Sequence, residues 1–228
     1  MNLLAIDSSS DHLVLGLASP KGFFSWTSAT GRQHGELLIQ EAPKFLQKNS
    51  LTLKEIHGIA LGRGPGSFTG LRIGASFVQA IALAYRIPVV MPDSLLALAA
   101  SSGYDKVIVA VKARMGEIYH AIYKRENGQW QAISPPAVLP VGDAPFPEGN
   151  GYATAGNGWL FFKDILSARY GDKITSSYEG PIRGEVLLGL AQSLFLEGRT
   201  LTSEAVIPDY LRRSVAIPQC ERMKKKHT

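Results

Sequence analysis

Cysteine is almost absent from this chain: among 228 residues there is only Cys220. An internal disulfide is therefore excluded, which fits a reducing compartment. Histidine is sparse and scattered, at positions 12, 34, 57, 120 and 227, with no His-x-x-x-His or His-Glu-x-x-His spacing. A metal site would have to be assembled from distant positions, so none is expected, and neither is a bound cofactor. The sequence also lacks a Gly-x-Ser-x-Gly nucleophile elbow, and Cys220 stands too near the end of the chain to be read as a nucleophile. Long apolar runs are missing too. None is read as reaching the ~18 residues of a membrane span, and "MNLLAIDSSS" meets a charge at Asp7 before any signal-peptide apolar region develops. The expected location is the cytoplasm, without a membrane partner.

What is present is ample apolar material, 45% of residues with only 19% charged, enough for a packed core in one large domain or two lobes. The formal charge of +5 comes from 24 Lys and Arg against 19 Asp and Glu, and it is segregated. Residues 211–228 carry Arg212, Arg213, Arg222, Lys224, Lys225 and Lys226 against Glu221, leaving 18 of each sign in the first 210 residues. The body is neutral. The basic end reads either as a solvated terminus or as a non-specific phosphate contact.

Periodicity divides the chain into two halves. "LLAID" (3–7), "HLVLGLA" (12–18) and "GFFSWTS" (22–28) read as a three-strand meander, and the segment from His34 as an amphipathic helix with Leu38, Ala42, Phe45 and Leu46 on one stripe. "IHGIALGRGPG" supplies a fourth strand. A helix from about Ser67 to Arg86, a strand at 87–90 and a short helix capped by Asp93 complete the first half. After Gly103 the pattern restarts in smaller form: strands in "KVIVAVKA", "EIYHAIYKR" and "GQWQAI", an irregular proline-rich connection at 135–151, a strand, turn and helix in "YATAGNGWLFFKDIL", and a helix from Gly184 ended by Gly198. The order of elements predicts a mixed α/β fold with lobes 1–103 and 104–228.

The most distinctive stretch is "GRGPGSFTGLRIG", residues 62–74, lying between a strand and a helix as a phosphate loop would. The P-loop spacing fails, because Leu71 stands where a lysine would reach the phosphates, and no acid follows until Asp93 to complete a dinucleotide fingerprint. Read locally, Gly64-Pro65-Gly66 is a tight turn, Ser67 or Thr69 caps the helix, and Gly70, Gly74 and Ala75 leave a smooth face that packing or a partner could use. Asp7, beside Ser8, Ser9 and Ser10, is the one carboxylate placed as a nucleotide ligand would be. Asp7, Ser9, Gly64 and Gly66 are the candidate nucleotide contacts, and an ATPase or phosphotransferase working in a cleft near Asp7 is the alternative to a binding role.

"IDSSSDHLVLGLAS" resembles the first phosphate hairpin of the actin-like, Hsp70-like and sugar-kinase (ASKHA) superfamily. More narrowly, "GRGPGSFTGLRIG" with "RQHGELL" before it, "ARMGEIYHAIY" in the middle and "IPDYLRRSVA" near the end resembles the bacterial TsaB (YeaZ) family. That resemblance implies a two-lobed actin-like fold, each lobe a mixed sheet flanked by helices. It also implies a non-catalytic paralogue of TsaD, the transferase that places threonylcarbamoyl on N6 of adenosine 37 in tRNAs reading codons that begin with A. The implied partners are TsaD, the small ATPase TsaE and a second copy of the chain when alone, with tRNA met through the complex. TsaD-like proteins carry an Asn-His-x-x-x-His metal pair where this chain has Ser94 and Leu98. The implied partner-binding residues are His34, Leu38, Ala42 and Phe45 of the first helix and Gly66, Phe68, Thr69, Gly70, Leu71, Gly74 and Val78 around the second. One departure stands out: relatives commonly have Asp-Ala-Arg where this sequence has Lys112-Ala113-Arg114.

Overall fold

The first apolar run becomes the strand around which the N-terminal sheet is built. In a computed structural model describing residues 1–29, 33–209 and 211, β1 (Leu3–Asp7) is buried along its whole length. It pairs antiparallel with β2 (His12–Ser19), which pairs with β3 (Gly22–Ala29) across the Pro20-Lys21 turn. The stripe beginning at His34 forms α1 (His34–Lys48), which buries Leu38, Ala42, Phe45 and Leu46 and runs through Pro43. This helix is the crossover that lets β4 (Gly58–Leu61) lie parallel to β1. Then come α2 (Phe68–Tyr85), β5 (Val89–Val90) parallel to β4, and α3 (Ser94–Ser101). The Asp93 carboxylate caps α3, accepting the Leu96 N–H at 2.8 Å.

The second half has β6 (Lys106–Lys112), β7 (Glu117–Glu126), β8 (Gln129–Pro140), β9 (Tyr152–Ala155), α4 (Gly158–Phe161), α5 (Lys163–Tyr170), β10 (Ile174–Tyr178) and α6 (Gly184–Leu196). The two sheets run β3-β2-β1-β4-β5 and β8-β7-β6-β9-β10, the same order with five strands each, so the second half repeats the first at full sheet size. What it lacks is a helix matching α1: a single 3-10 turn, Val141–Asp143, joins β8 to β9.

Three local expectations are corrected. The proline-rich segment 135–151 is strand as far as Pro140, because β8 is an edge strand, where a missing N–H can face outward, and Pro135 and Pro136 fall where the β7–β8 register shifts. β10 was not foreseen, since "ITSSY" is short, polar and only half-buried. The 18-residue α2 has a mean hydropathy of 1.2, long and apolar enough by length and composition to cross a membrane. One face of it, Gly70, Leu71, Gly74, Ala75, Val78, Ile81 and Ala82, packs into the fold. Cys220 and the basic residues from Arg212 onward lie outside the described residues.

The last helix of each half packs across to the other. α3 lies against β6 and β7 of the second sheet, while α6 lies against β1, β2 and β3 of the first, and the two helices touch. Their apolar faces make a shared core that runs from Leu3, Val14 and Ala60 through Leu95 and Leu98 to Val107, Val109 and Leu188. Separate cores lie outside it, one under α1 and α2 and one under α4 and α5. The start of α6 sits directly on β2. A Cβ added to Gly16 would meet the Gly184 carbonyl oxygen at 2.8 Å and its carbon at 3.0 Å. Backbone cannot rotate aside as a side chain can, so Gly16→Ala should lower stability by roughly 1–3 kcal/mol, read as a fall in urea midpoint with unchanged far-UV dichroism.

In the outer core of the second half His120 is fully buried, its Nε2 2.9 Å from the Tyr170 hydroxyl, which donates onward to the Pro145 carbonyl at 2.9 Å. This chain of donors makes Nε2 the protonated nitrogen and leaves Nδ1 without a hydrogen-bond partner. Burial, with a smaller contribution from the Arg169 charge, lowers the His120 pKa to about 4. Between the unfolded value near 6.5 and about 4 the unfolded chain binds more protons, so stability falls as pH drops through that window, by about 3 kcal/mol in total. Urea midpoints from pH 7.5 to 4 should show this loss, and His120→Gln should flatten it while keeping a donor to Tyr170.

Candidate functional site

The glycine stretch meets the end of β1, and its spacing follows from that contact. β1 delivers Asp7 to the C-terminal end of the sheet's central strand, and the chain turns through Ser8, Ser9 and Ser10 against residues 62–74. A Cβ on Gly62 would stand 1.8 Å from Asp7 Oδ2, one on Gly66 2.1 Å from the Ser9 carbonyl oxygen, and one on Gly70 2.0 Å from the Ser8 carbonyl oxygen. A Cβ on Gly74 would stand 2.4 Å from Ser8 Oγ. The smooth face of α2 is thus filled by this chain's own loop, at distances no side chain tolerates.

Polar groups lock the contact. The Ser67 N–H at the α2 N-cap donates to the Ser9 carbonyl at 2.7 Å, Ser67 Oγ accepts the Gly70 N–H at 3.2 Å, and Ser8 Oγ donates to the Gly70 carbonyl at 2.9 Å. His34, at the start of α1 and buried, donates through Nε2 to the Ser10 carbonyl at 2.8 Å, so both outer helices hold the loop.

Asp7 is 0% exposed. Its Oδ1 accepts from the Ser9 N–H at 2.9 Å and Ser9 Oγ at 2.7 Å, and its Oδ2 accepts from Ser94 Oγ at 2.8 Å. Ser94 Oγ in turn accepts the Gly64 N–H at 3.0 Å. Burial raises the Asp7 pKa, opposed by the bonds from Ser9 and Ser94 and by the His34 charge. Asp7, Ser9, Gly64 and Gly66, the candidate nucleotide contacts, do lie together, with Asp7 bonded to Ser9 and Ser94 and the Gly64 N–H committed to Ser94. A phosphate or metal would reach Asp7 only if the loop withdrew from the glycines. Ser94, where the resemblance placed a metal-binding histidine in TsaD-like proteins, is the hydroxyl that bonds Asp7, and Leu98 belongs to the shared core. Among the described residues no three His, Cys, Asp or Glu side chains converge as a metal site.

The residues assigned to partner binding divide by exposure. His34, Leu38, Ala42, Phe45, Gly66, Gly70, Leu71, Gly74 and Val78 are buried within this chain, Phe68 is half-buried and Thr69 is exposed. The surface that α1 and α2 present is made by other residues. On α2, Thr69, Arg72, Ser76, Ala80, Leu83 and Ala84 are exposed and Ile73 is half-buried, all on the side opposite the buried face at 3.6-residue spacing. Leu83 is 65% exposed, and Ile39 of α1 is 66% exposed. Ile73 also packs beside Gly35 of α1. The signal for this second stripe was present in the sequence, since α2 carries almost no charge on any side.

Elsewhere, Lys112 donates its N–H to Asn157 Oδ1 at 2.9 Å and lays its ammonium over the Phe161 ring at 3.6 Å, while Asn157 Nδ2 reaches Asp11 Oδ2 at 3.4 Å. Lys112, where the resemblance has an acid in relatives, is therefore held at the junction of the halves.

A family model described as "TsaD: tRNA N6-adenosine threonylcarbamoyltransferase" matches residues 27–169. The chain is 31% identical to the tRNA threonylcarbamoyladenosine biosynthesis protein TsaB of Escherichia coli, over 95% of this chain and 96% of that protein. It is 28% identical to the Haemophilus influenzae protein of the same name, over 94% and 95%. Among solved structures, YeaZ from Pseudomonas aeruginosa superimposes with a TM-score of 0.83 at 29% identity, over 92% of this chain and 99% of that one. The two five-stranded mixed sheets with their flanking helices form the actin-like two-lobed fold.

Because the native pKa of Asp7 is raised, the native state binds more protons than the unfolded state above the ordinary value of 3.8, and stability falls as pH rises through that window. Asp7→Asn keeps the shape and removes the ionisation, so its urea midpoint should not show that fall. Asp7→Ala strands the donors of Ser9 and Ser94 and should cost on the order of 2–4 kcal/mol at pH 7.5. An alanine variant as stable as the native protein would contradict the role given to this carboxylate.

Proposed function

The chain belongs to the TsaB (YeaZ) family of tRNA threonylcarbamoyladenosine biosynthesis proteins, and from that premise we propose that it acts there as a non-catalytic partner of TsaD. In this reading the α1/α2 outer face docks on TsaD in the cytoplasm, the ATPase TsaE joins the assembly, and tRNA is met through the complex. When TsaD is absent, the same face closes on a second copy of the chain.

The observation that carries this reading is the outer stripe of α2, in which Ile73 and Leu83 accompany the small residues Ser76, Ala80 and Ala84. Small side chains four apart along one side of a helix let another backbone approach closely, and the larger ones at the edges bury area on contact. The two helices are braced from behind by the loop on the glycines and by His34, so the face is preorganised and little ordering cost remains at docking. The non-catalytic part of the proposal is supported by Asp7, which is enclosed and hydrogen-bonded to the chain's own serines.

The test uses charges on the outer face. Ala80→Glu and Leu83→Glu each place an unpaired charge in the proposed contact while leaving the buried side of α2 unchanged, and should weaken association at least 100-fold, given roughly 3–5 kcal/mol for an uncompensated buried charge. Size-exclusion chromatography with light scattering, using TsaD of the same cell, should show a one-to-one complex for the native chain and separate peaks for the variants. Leu160→Glu, on an exposed position of α4 in the other half, should leave the complex intact. Gly74 is unsuitable for this test, because any side chain there strikes Ser8. Folded outer-face variants that still bind would overturn this placement, and a native chain that never joins TsaD would overturn the partner role.

A further inference from the structure

Among the described residues four strands stand at the edges of the two sheets, and three of them are blunted. β5 has two residues, and Leu201 bridges its outer side at Val89. β8 carries Pro135 and Pro136 where its register with β7 shifts, and β10 is a short strand whose register with β9 shifts after Ile174. Short length, prolines and bulges are the usual means of keeping an edge from pairing with another chain. β3 has none of them. Its eight residues, GFFSWTSA, include no proline and no charge, and they pair with β2 without a break from Gly22 to Ala29. No strand among the described residues lies on its outer side.

The same edge borders an open cleft of about 510 Å³ between β3 and the second half of α1. Residues 23–26 of the strand line it together with Glu41, Lys44, Phe45 and Lys48 of the helix. Side chains of a strand alternate between its faces. Phe24 and Trp26 pack toward the core under α1 and α2, whereas Ser25 points to the start of α6, where a Cβ on Gly184 would meet its Oγ at 2.9 Å. Four consecutive residues therefore share the cleft through what is common to them, the backbone along the open edge. Phe23 is 59% exposed and Phe24 and Trp26 are half-buried, so aromatic surface flanks that backbone. The charges of the helix side are uneven. Lys44 is held by Glu41 at 2.7 Å, while Lys48 makes no ion pair among the described residues.

We propose that this cleft takes an extended peptide segment of another protein, which adds a sixth strand beside β3, sets an apolar side chain against Phe24 and Trp26, and brings a carboxylate to Lys48. An edge strand that gains a strand from a peptide is a recurring mode of recognition, in which main-chain hydrogen bonds supply affinity and pockets read alternate side chains. A second copy of β3 does not meet these requirements, since GFFSWTSA holds no carboxylate and would bring no countercharge to Lys48. The site lies on the β3 side of α1 and does not rest on the TsaD reading.

The test uses the full chain alone and fluorescence anisotropy with labelled synthetic peptides. The acidic probe is Glu-Val-Thr-Val-Phe-Glu, and a charge-reversed probe has lysine at both ends. The acidic probe should bind with a Kd below about 1 mM and the basic probe about fivefold more weakly, and Lys48→Glu, at an exposed position, should invert that preference. Two further acidic probes carry backbone N-methyl groups, one on the odd residues and one on the even. Alternate N–H groups of an added strand face its partner, so one of these probes should bind much as the parent does and the other about tenfold more weakly. Equal binding by the two methylated probes would mean apolar contact without strand pairing and would overturn the proposal. So would the absence of binding by either unmethylated probe. Self-association of the chain that Phe23→Lys abolishes, with no probe bound, would assign the edge to a second copy and overturn it as well.

Discussion

A loop of four residues seated on a row of glycines is the contact on which the rest of this structure depends. Asp7 to Ser10 approach α2 and the turn before it so closely that Gly62, Gly66, Gly70 and Gly74 have no room for a Cβ. The loop brings a carboxylate with it, and removing that charge from water is costly unless its oxygens are satisfied. Two serines satisfy them, one from the loop and one from the start of α3. One interaction therefore fixes the end of β1, the entry to α2 and the start of α3. Asp7, Ser9, Gly64 and Gly66, read from the sequence as candidate nucleotide contacts, lie at this junction. Here the Ser67 N–H is committed to Ser9 and the Gly64 N–H to Ser94, and the chain's own loop occupies the space.

Rigidity on one side of α2 gives meaning to the largely uncharged surface on its other side. α2 buries one face against its sheet and the serine loop, and the opposite face is a second stripe rich in small and apolar residues. The exchange of α3 and α6 between the two halves has a similar effect at larger scale. It ties both sheets into one core, so the halves support a fixed surface, and the C-terminal segment follows α2 back to the glycine turn. The exposed stripe of α2 and the contacts of the C-terminal segment therefore lie along the same helix.

Much of this was legible in the sequence. The Leu13, Leu15, Leu17 alternation, the stripe from Leu38 to Leu46 and the Asp93 cap each encode a local period or a local hydrogen bond, and each became the element expected. Where the reading failed, the deciding fact was distant in sequence. Gly70 and Gly74 have the small-residue pattern of a helix interface, and nothing nearby in the chain reveals that Ser8, more than sixty residues earlier, fills that face. β10 escaped notice because pairing with a parallel partner, β9, makes a strand of five residues that are mostly polar and none of them buried. Pro135 and Pro136 read as a loop because their tolerance depends on β8 being an edge, a property of sheet order. Composition did carry the second stripe of α2. A helix with so little charge calls for cover on two sides, and only the structure distinguishes the side already covered.

The central claim is that the exposed side of α1 and α2 is the docking surface proposed for TsaD, backed by the loop at 7–10 that packs on the glycines. Hydrogen–deuterium exchange of the native chain with and without TsaD tests it most directly, because it reports every segment in one experiment without altering a residue. The account predicts slowed exchange across residues 35–47 and 69–84, with the second sheet, residues 106–178, unchanged. Protection confined to that second sheet in a complex that does form would contradict it.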